Sequence, residues 1–394
     1  MVGKHRKNAK KKYKRYKIKS KKFQTKTQKK LLIIIFLIIL LFLLYYKSIF
    51  QKKYNKIELS QIKENINITL ANLEEHYKHL LPKKKHHIIP KINQEDKYNL
   101  FKLENSYDYK RMKATGKENY IYYACVIAMA KYENFYVRDF VEYYLKLGVE
   151  KFYFGDDNPE DIENLSDVLN DYIQKGIVDI EYLYSRNLSQ IEFLDYTFKN
   201  VKLRCKWFLI YDLDEYLEFT NKTMFLKNYL EMPVFDKCDV IRIHWMIYDD
   251  NNLVYYDNRP VNERFTHGLL HHKLNMFHKS IIRGKDYGPT TFASSCHQPD
   301  YSFVKNQCDA LGNIEEDTYG ILTSPKFKLC YIKHFRYKTS EEFAVKMLRG
   351  NFQSTKYNLN NFVNEYFGIN KFTEEKLKVI EHILNITFPH FHNK

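Results

Sequence analysis

IYYACVIAMAKYENFYVRDFVEYYLKLGVEKFYFGDD, residues 121–157, sets the reading of the chain. Ile121–Ala130 is an unbroken apolar run, the pattern of a strand buried on both faces. Val137, Phe140, Val141, Tyr144 and Leu145 follow at helical spacing, and Gly148 supplies the stop. Lys151–Phe154 is a second, short strand closed by Gly155-Asp156-Asp157-Asn158-Pro159. The alternation continues outward. A helix covers Asp161–Gln174 with Gly176 behind it, a strand Ile177–Leu183, a helix Gln190–Lys202, and a fourth strand Trp207–Tyr211 (WFLIY). Strands alternating with helices of this length predict an α/β fold with a doubly wound, mainly parallel, Rossmann-like sheet. Ligands of such sheets sit beyond the carboxyl ends of the strands.

The polar residues at those ends are Lys131 and Glu133, then Asp156 and Asn158, then Asp212, Asp214 and Glu215. Asp212 and Asp214 are two apart, so both carboxylates can face one side while Leu213 packs inward. Adjacent carboxylates repel, and a hard divalent cation, Mn²⁺ or Mg²⁺, relieves the repulsion and can share its shell with a diphosphate. Asp156 is placed to accept from a base or ribose, with a turn-forming role before Asn-Pro as the alternative. His334 and His297 are further candidate ligands, whereas His271, His272 and His278 lack ligand spacing and read as solvated. For the base that deprotonates an acceptor, Asp249, Asp250 and Glu263 are the candidates. Asp250 leads, because it follows the apolar run Val240–Tyr248 in a loop; Glu263 beside Arg264 reads more as an ion pair. Trp245 is either a sugar-stacking or a core residue.

Residues 131–161 (KYENFYVRDFVEYYLKLGVEKFYFGDDNPED) and 190–219 (QIEFLDYTFKNVKLRCKWFLIYDLDEYLEF) resemble glycosyltransferase family 92 and related family-2-like enzymes. IRIHWMIYDDNN, RPVNERF, KSIIRG, SCHQP and IKHFRYKTSEEFAVKMLRG follow in the family's order, so the resemblance covers roughly Tyr120–Gly350. It implies a GT-A fold, a nucleotide-sugar donor (a UDP-sugar), a glycan acceptor and inversion at the anomeric carbon. It places the metal on Asp212 and Asp214, with His334 as an extra metal or phosphate ligand. Asp156 would meet the uridine or its ribose. Arg336 and Lys338 would neutralise the leaving diphosphate; Lys131, Glu133 and Asn158 complete the donor set. The chain departs from the family at Lys131-Tyr132-Glu133, where relatives carry Lys-Asn-Glu.

The formal charge of +17 suggests a polyanion until it is located. Residues 1–30 hold 15 Lys and Arg and no acid, and residues 47–56 hold four more lysines, which leaves residues 57–394 about −2. A nucleic-acid-binding domain is excluded on that ground. Leu31–Tyr46 is 16 apolar residues, extended by Ile49 and Phe50. It reads as a short transmembrane anchor, and the basic flank keeps the tail cytoplasmic. The organisation expected is a cytoplasmic tail at 1–30, an anchor at 31–50, a stem at 51–118, a catalytic domain at 119–350 and a helical extension at 351–394. Leu59, Ile62, Ile66, Leu70, Leu73, Tyr77 and Leu80 give the stem a helical stripe that could pair copies of the chain. That is a single-pass type II topology, in a Golgi membrane for a eukaryotic chain.

Six cysteines show no CxxC pair, which removes zinc and thioredoxin-like sites; Cys296 and Cys308 are the best candidates for pairing. Five N-x-S/T sequons, at Asn67, Asn164, Asn187, Asn221 and Asn385, suit an extracytoplasmic domain but are common by chance in an Asn-rich chain. The function expected is metal-dependent hexosyl transfer, galactose being the family-based choice. Two alternatives stand beside it: a non-catalytic, membrane-tethered glycan-binding protein, and a nucleotidyl- or phosphotransferase. The latter would want a Gly-rich loop after the first strand, where Ala130-Lys131-Tyr132-Glu133 has none.

Overall fold

The computed structural model describes residues 100–101, 120–293, 295–300, 302–315, 324–348, 359–388 and 391. The expected tail, anchor and stem helix lie outside the described residues. Among the described residues no helix is long and apolar enough to cross a membrane.

The elements run β1 (Tyr122–Ala130), α1 (Asn134–Leu147), β2 (Lys151–Asp156), α2 (Leu165–Val168), α3 (Asn170–Gln174), β3 (Val178–Tyr182), α4 (Gln190–Val201) and β4 (Cys205–Ile210). There follow β5 (Glu215–Phe219), α5 (Leu226–Leu230), β6 (Val240–Ile247), α6 (Val261–Arg264), β7 (His278–Arg283), β8 (Gln307–Asp309) and β9 (Cys330–His334). Three helices close the chain: α7 (Ser340–Leu348), α8 (Leu359–Ile369) and α9 (Glu374–Leu384). The strands form one sheet in the order β3-β2-β1-β4-β7-β6-β9-β5, with β8 on β6.

β1 shows why both faces are covered. Ala124, Val126, Ala128 and Ala130 pack into one core beside Val137, Phe140 and Tyr144 of α1. Cys125, Ile127 and Met129 pack into a second core beside Phe193, Leu194 and Phe198 of α4. Period-two alternation on an all-apolar strand thus demands a helix on each side. Gly148, at φ 106°, ends α1 in the left-handed conformation that glycine adopts freely. The single helix expected over Asp161–Gln174 is two short ones, because Leu169 leaves helical geometry and drops into the core.

β1, β2, β3 and β4 are mutually parallel. β7 runs antiparallel to both β4 and β6, so β6 regains the direction of β4, and β8 and β9 pair parallel to β6. β5 is antiparallel to β9. Only β5 and β7 therefore run against the other strands described, and both begin at the edge where those strands end.

Two disulfides are present. Cys125–Cys205 ties β1 to β4, and Cys238–Cys308 ties the approach to β6 to β8. The expected partnership of Cys296 with Cys308 is therefore corrected. β8 pairs with β6 through Ile241↔Cys308, which brings Cys308 beside Cys238. Cys296 and Cys330 are buried and stand outside these two disulfides.

Candidate active site

The carboxyl edge of the sheet collects the chemistry. The chain leaves β4 at Ile210 and re-enters the sheet as β5 at Glu215, and Asp212, Leu213 and Asp214 make the turn between them. Leu213 is in the core, as its spacing predicts. β5 pairs with β9 in the register Glu215↔His334, and the Phe335 amide donates to the Asp214 carbonyl at 2.9 Å. That pairing brings His334 Nε2 to 3.7 Å from Asp214 Oδ1.

Each aspartate also has an ammonium. Lys279, the second residue of β7, lies 2.7 Å from Asp212 Oδ2 and 3.4 Å from Glu215. Gln190, at the start of α4, donates to Asp212 Oδ1 at 2.8 Å. Lys346 on α7 donates to Asp214 Oδ2 at 2.9 Å. Burial by itself would raise the Asp214 carboxyl, but Lys346 and His334 override it and hold it well below the carboxylate range. Burial lowers the His334 imidazole against the opposing pull of Asp214. Burial and then Lys279 push His297 down to about 3. Both rings are thus neutral near pH 7, the state in which imidazole ligates metal. Trp245 sits between them, 4.2 Å from the His334 ring and 5.1 Å from His297. Glu215 is fully buried, and burial raises it above its ordinary range although Lys279 opposes.

The basic residues expected after β9 arrive at the same edge. Lys338, in the left-handed region at φ 55°, is buried over the Tyr136 ring at 4.4 Å. Burial lowers its ammonium to about 8, with Asp214 pulling the other way. A non-glycine residue held at positive φ is strained, a cost often found at functional sites. Arg336 stays part-exposed beside Glu365 at 3.6 Å.

Other candidates have different employment. Asp156 is 1% exposed, and its two oxygens accept from the backbone amides of Leu165 (2.7 Å) and Asn158 (3.0 Å). It shapes its own loop, the alternative considered for it, and burial lifts its carboxyl to about 7. Asn158 staples the β1 and β2 loops together, accepting from the Tyr132 amide at 2.6 Å and donating to Asn134 at 2.9 Å. Lys131 pairs with Asp157 at 2.9 Å, and Glu133 is buried at the N-cap of α1.

Asp250, the leading candidate for the base, is enclosed. It is buried, with Lys376 at 2.6 Å and Tyr366 at 2.6 Å on Oδ2 and the Asn252 amide at 2.8 Å on Oδ1. It is the post to which α8 and α9 are tied. Glu263 is exposed on α6, and Arg264 turns inward to a bidentate pair with Glu342 at 2.7 and 2.9 Å rather than to its neighbour. Asp249 meets His267 at 2.5 Å. His278, expected in solvent, is fully buried on β7.

The sequence pattern of glycosyltransferase family 92 matches residues 120–379, from two residues before β1 into α9. The chain belongs to glycosyltransferase family 92. The match takes in every residue just described, including α8 and most of α9. As a family 92 member it is a glycosyltransferase, working on a sugar donor and a glycan acceptor. Among curated proteins none matches the chain.

Three members of the site escaped the sequence reading: Lys279, Lys346 and Gln190. Lys279 carried a signal, being a cation inside the strand pattern HKSIIR, where burial demands an anionic partner. Among the described residues no three His, Cys, Asp or Glu side chains converge as a ready-made metal site. Asp214 and His334 bring two donor atoms within 3.7 Å of each other. One carboxylate oxygen and one neutral imidazole nitrogen are donors that Mn²⁺ accepts, and ligand distances near 2.0–2.2 Å let one ion reach two atoms this far apart.

Proposed function

We propose that the chain is a membrane-anchored, metal-dependent hexosyltransferase of GT-A type. It would take a UDP-sugar, UDP-galactose by the family resemblance, invert the anomeric carbon in one displacement, and deliver the hexose to a glycan. The observation that carries this reading is the approach of Asp214 and His334 at 3.7 Å on the carboxyl edge, ringed by Lys279, Lys346, Arg336 and Lys338. A paired anionic and imidazole donor set inside a basic ring suits a cation–diphosphate complex better than it suits a neutral ligand.

Asp214 and His334, with Asp212 beside them, would hold Mn²⁺ or Mg²⁺. When bound, the ion supplies neutralisation of the charge that builds on the leaving diphosphate. Lys338 and Arg336 offer the diphosphate further positive charge. Gln190 and Lys279 fix the Asp212 carboxylate from behind, so its orientation needs no reorganisation when donor arrives. Trp245 packs against both imidazole rings. Of the three carboxylates put forward as base, Asp249 is paired with His267 and Asp250 is buried, so Glu263 is the one open to an incoming acceptor hydroxyl. The type II anchor at residues 31–50, a Golgi membrane and pairing through the stem belong to the same proposal and rest on the sequence pattern.

The test is nucleotide release by residues 57–394 with Mn²⁺ and a panel of UDP- and GDP-sugars. One donor should be hydrolysed, and Asp214→Asn should lower the rate at least ~100-fold, about 2.7 kcal/mol of transition-state stabilisation. A folded domain that neither binds nor cleaves any donor would refute the proposal and favour a glycan-binding protein.

A further inference from the structure

Four of the five sequons fall among the described residues, and the fold treats them differently. Asn164 is 4% exposed at the N-cap of α2, where a bulky adduct would displace core. Asn187 and Asn385 are exposed, each ending a helix in the left-handed conformation. Asn221 is exposed together with Lys222 and Thr223, in the turn that carries β5 into α5. Here the sequon is pre-arranged. Asn221 Oδ1 accepts from both the Thr223 amide (3.0 Å) and the Thr223 hydroxyl (2.9 Å). The carboxamide is therefore polarised through its oxygen, and its nitrogen is left toward solvent. Thr220 pins the turn by donating to the Lys328 and Leu329 carbonyls at 2.9 and 3.1 Å. β5 starts at the site with Glu215 and runs away from it, so Asn221 stands at the opposite edge of the sheet.

An independent feature points to the compartment. The two disulfides, Cys125–Cys205 and Cys238–Cys308, require an oxidising one, the setting in which sequons are read.

We infer that Asn221 is an N-glycosylation site. An oligosaccharide on a lipid diphosphate is the co-reactant. A bond forms between Asn221 Nδ2 and the sugar's anomeric carbon, the bond from that carbon to the diphosphate oxygen breaks, the lipid diphosphate leaves, and the amide gives up one proton. The inference rests on the extracytoplasmic placement of the domain proposed above.

The full chain, translated into glycosylation-competent microsomes, tests it. Peptide N-glycosidase should increase the mobility of the wild type, and Asn221→Gln and Thr223→Ala should each remove one step of that shift, while Thr223→Ser retains it. Protease added outside the vesicles separates the two layers of the argument. A protected domain whose Asn221 peptide is recovered unmodified overturns the site and leaves the topology standing. A digested domain overturns the topology and the site with it.

Discussion

Replacing Asp250 by asparagine separates an anchor from a general base. The carboxylate and the Lys376 ammonium are 2.6 Å apart with side chains 2% and 1% exposed. Asparagine preserves the shape and the Asn252 contact but leaves the lysine charge buried without its counter-charge. Breaking a buried pair in this way costs about 3–5 kcal/mol. A domain of this size loses ~2–4 °C per kcal/mol, so the melting temperature should fall by roughly 6–20 °C. Lys376→Met should cost a similar amount. The double variant Asp250→Leu/Lys376→Met should recover most of the loss, because a buried pair replaced by apolar groups is often neutral. Circular dichroism melts of the four proteins, with donor hydrolysis measured well below the lowest melting point, give the answer. Asp250→Asn should hydrolyse donor and transfer sugar at near wild-type rate in the cold. An unchanged melting temperature with transfer abolished would refute the reasoning and return Asp250 to the role of base.

Three further outcomes follow from the structure. His297 is held at about 3 against an ordinary 6.5, so the unfolded chain binds its proton first and stability should drain away as pH falls from about 6.5 toward 3. Urea melts at pH 7 and 4.5 should show a loss up to about 2–3 kcal/mol that His297→Phe removes; an equal loss in the variant would refute it. Reduction opens loops of 80 and 70 residues, each closed at a gain of about 4 kcal/mol in the chain-entropy picture, so dithiothreitol should lower the melting temperature markedly. Under native conditions Cys296 and Cys330 should resist a thiol reagent, and both should label after unfolding.

The parallel block was legible because its strands are apolar on both faces and its helices keep strict spacing; β1 and α4 lie within a residue of where the pattern puts them, and α1 stops at Gly148 as its spacing predicts. Strand direction was not legible. HKSIIR and EYLEF carry the same alternation whichever way they run, and only their distant partners make β7 and β5 antiparallel. Asp214 and His334 are far apart in sequence and meet through the β5–β9 register, which no local pattern encodes. The enclosure of Asp250 was not legible for a related reason. A loop carboxylate after an apolar run looks available until Lys376 and Tyr366, more than a hundred residues on, are found to enclose it. α8 was unread because its partner surface is tertiary: Phe362, Val363 and Tyr366 pack into the same core as α1.

The strand order also dictates a schedule of synthesis. β1 to β4 can pair as soon as they emerge, and the Cys125–Cys205 bridge can close within that block. The far side of β4 must wait for β7, roughly 70 residues later, on the order of ten seconds at ribosomal speed. Throughout that interval an apolar edge with unspent amide and carbonyl groups faces whatever else is nascent nearby. The half-made chain is the vulnerable species, and an early oxidant that staples the first block would protect it more than any later helper.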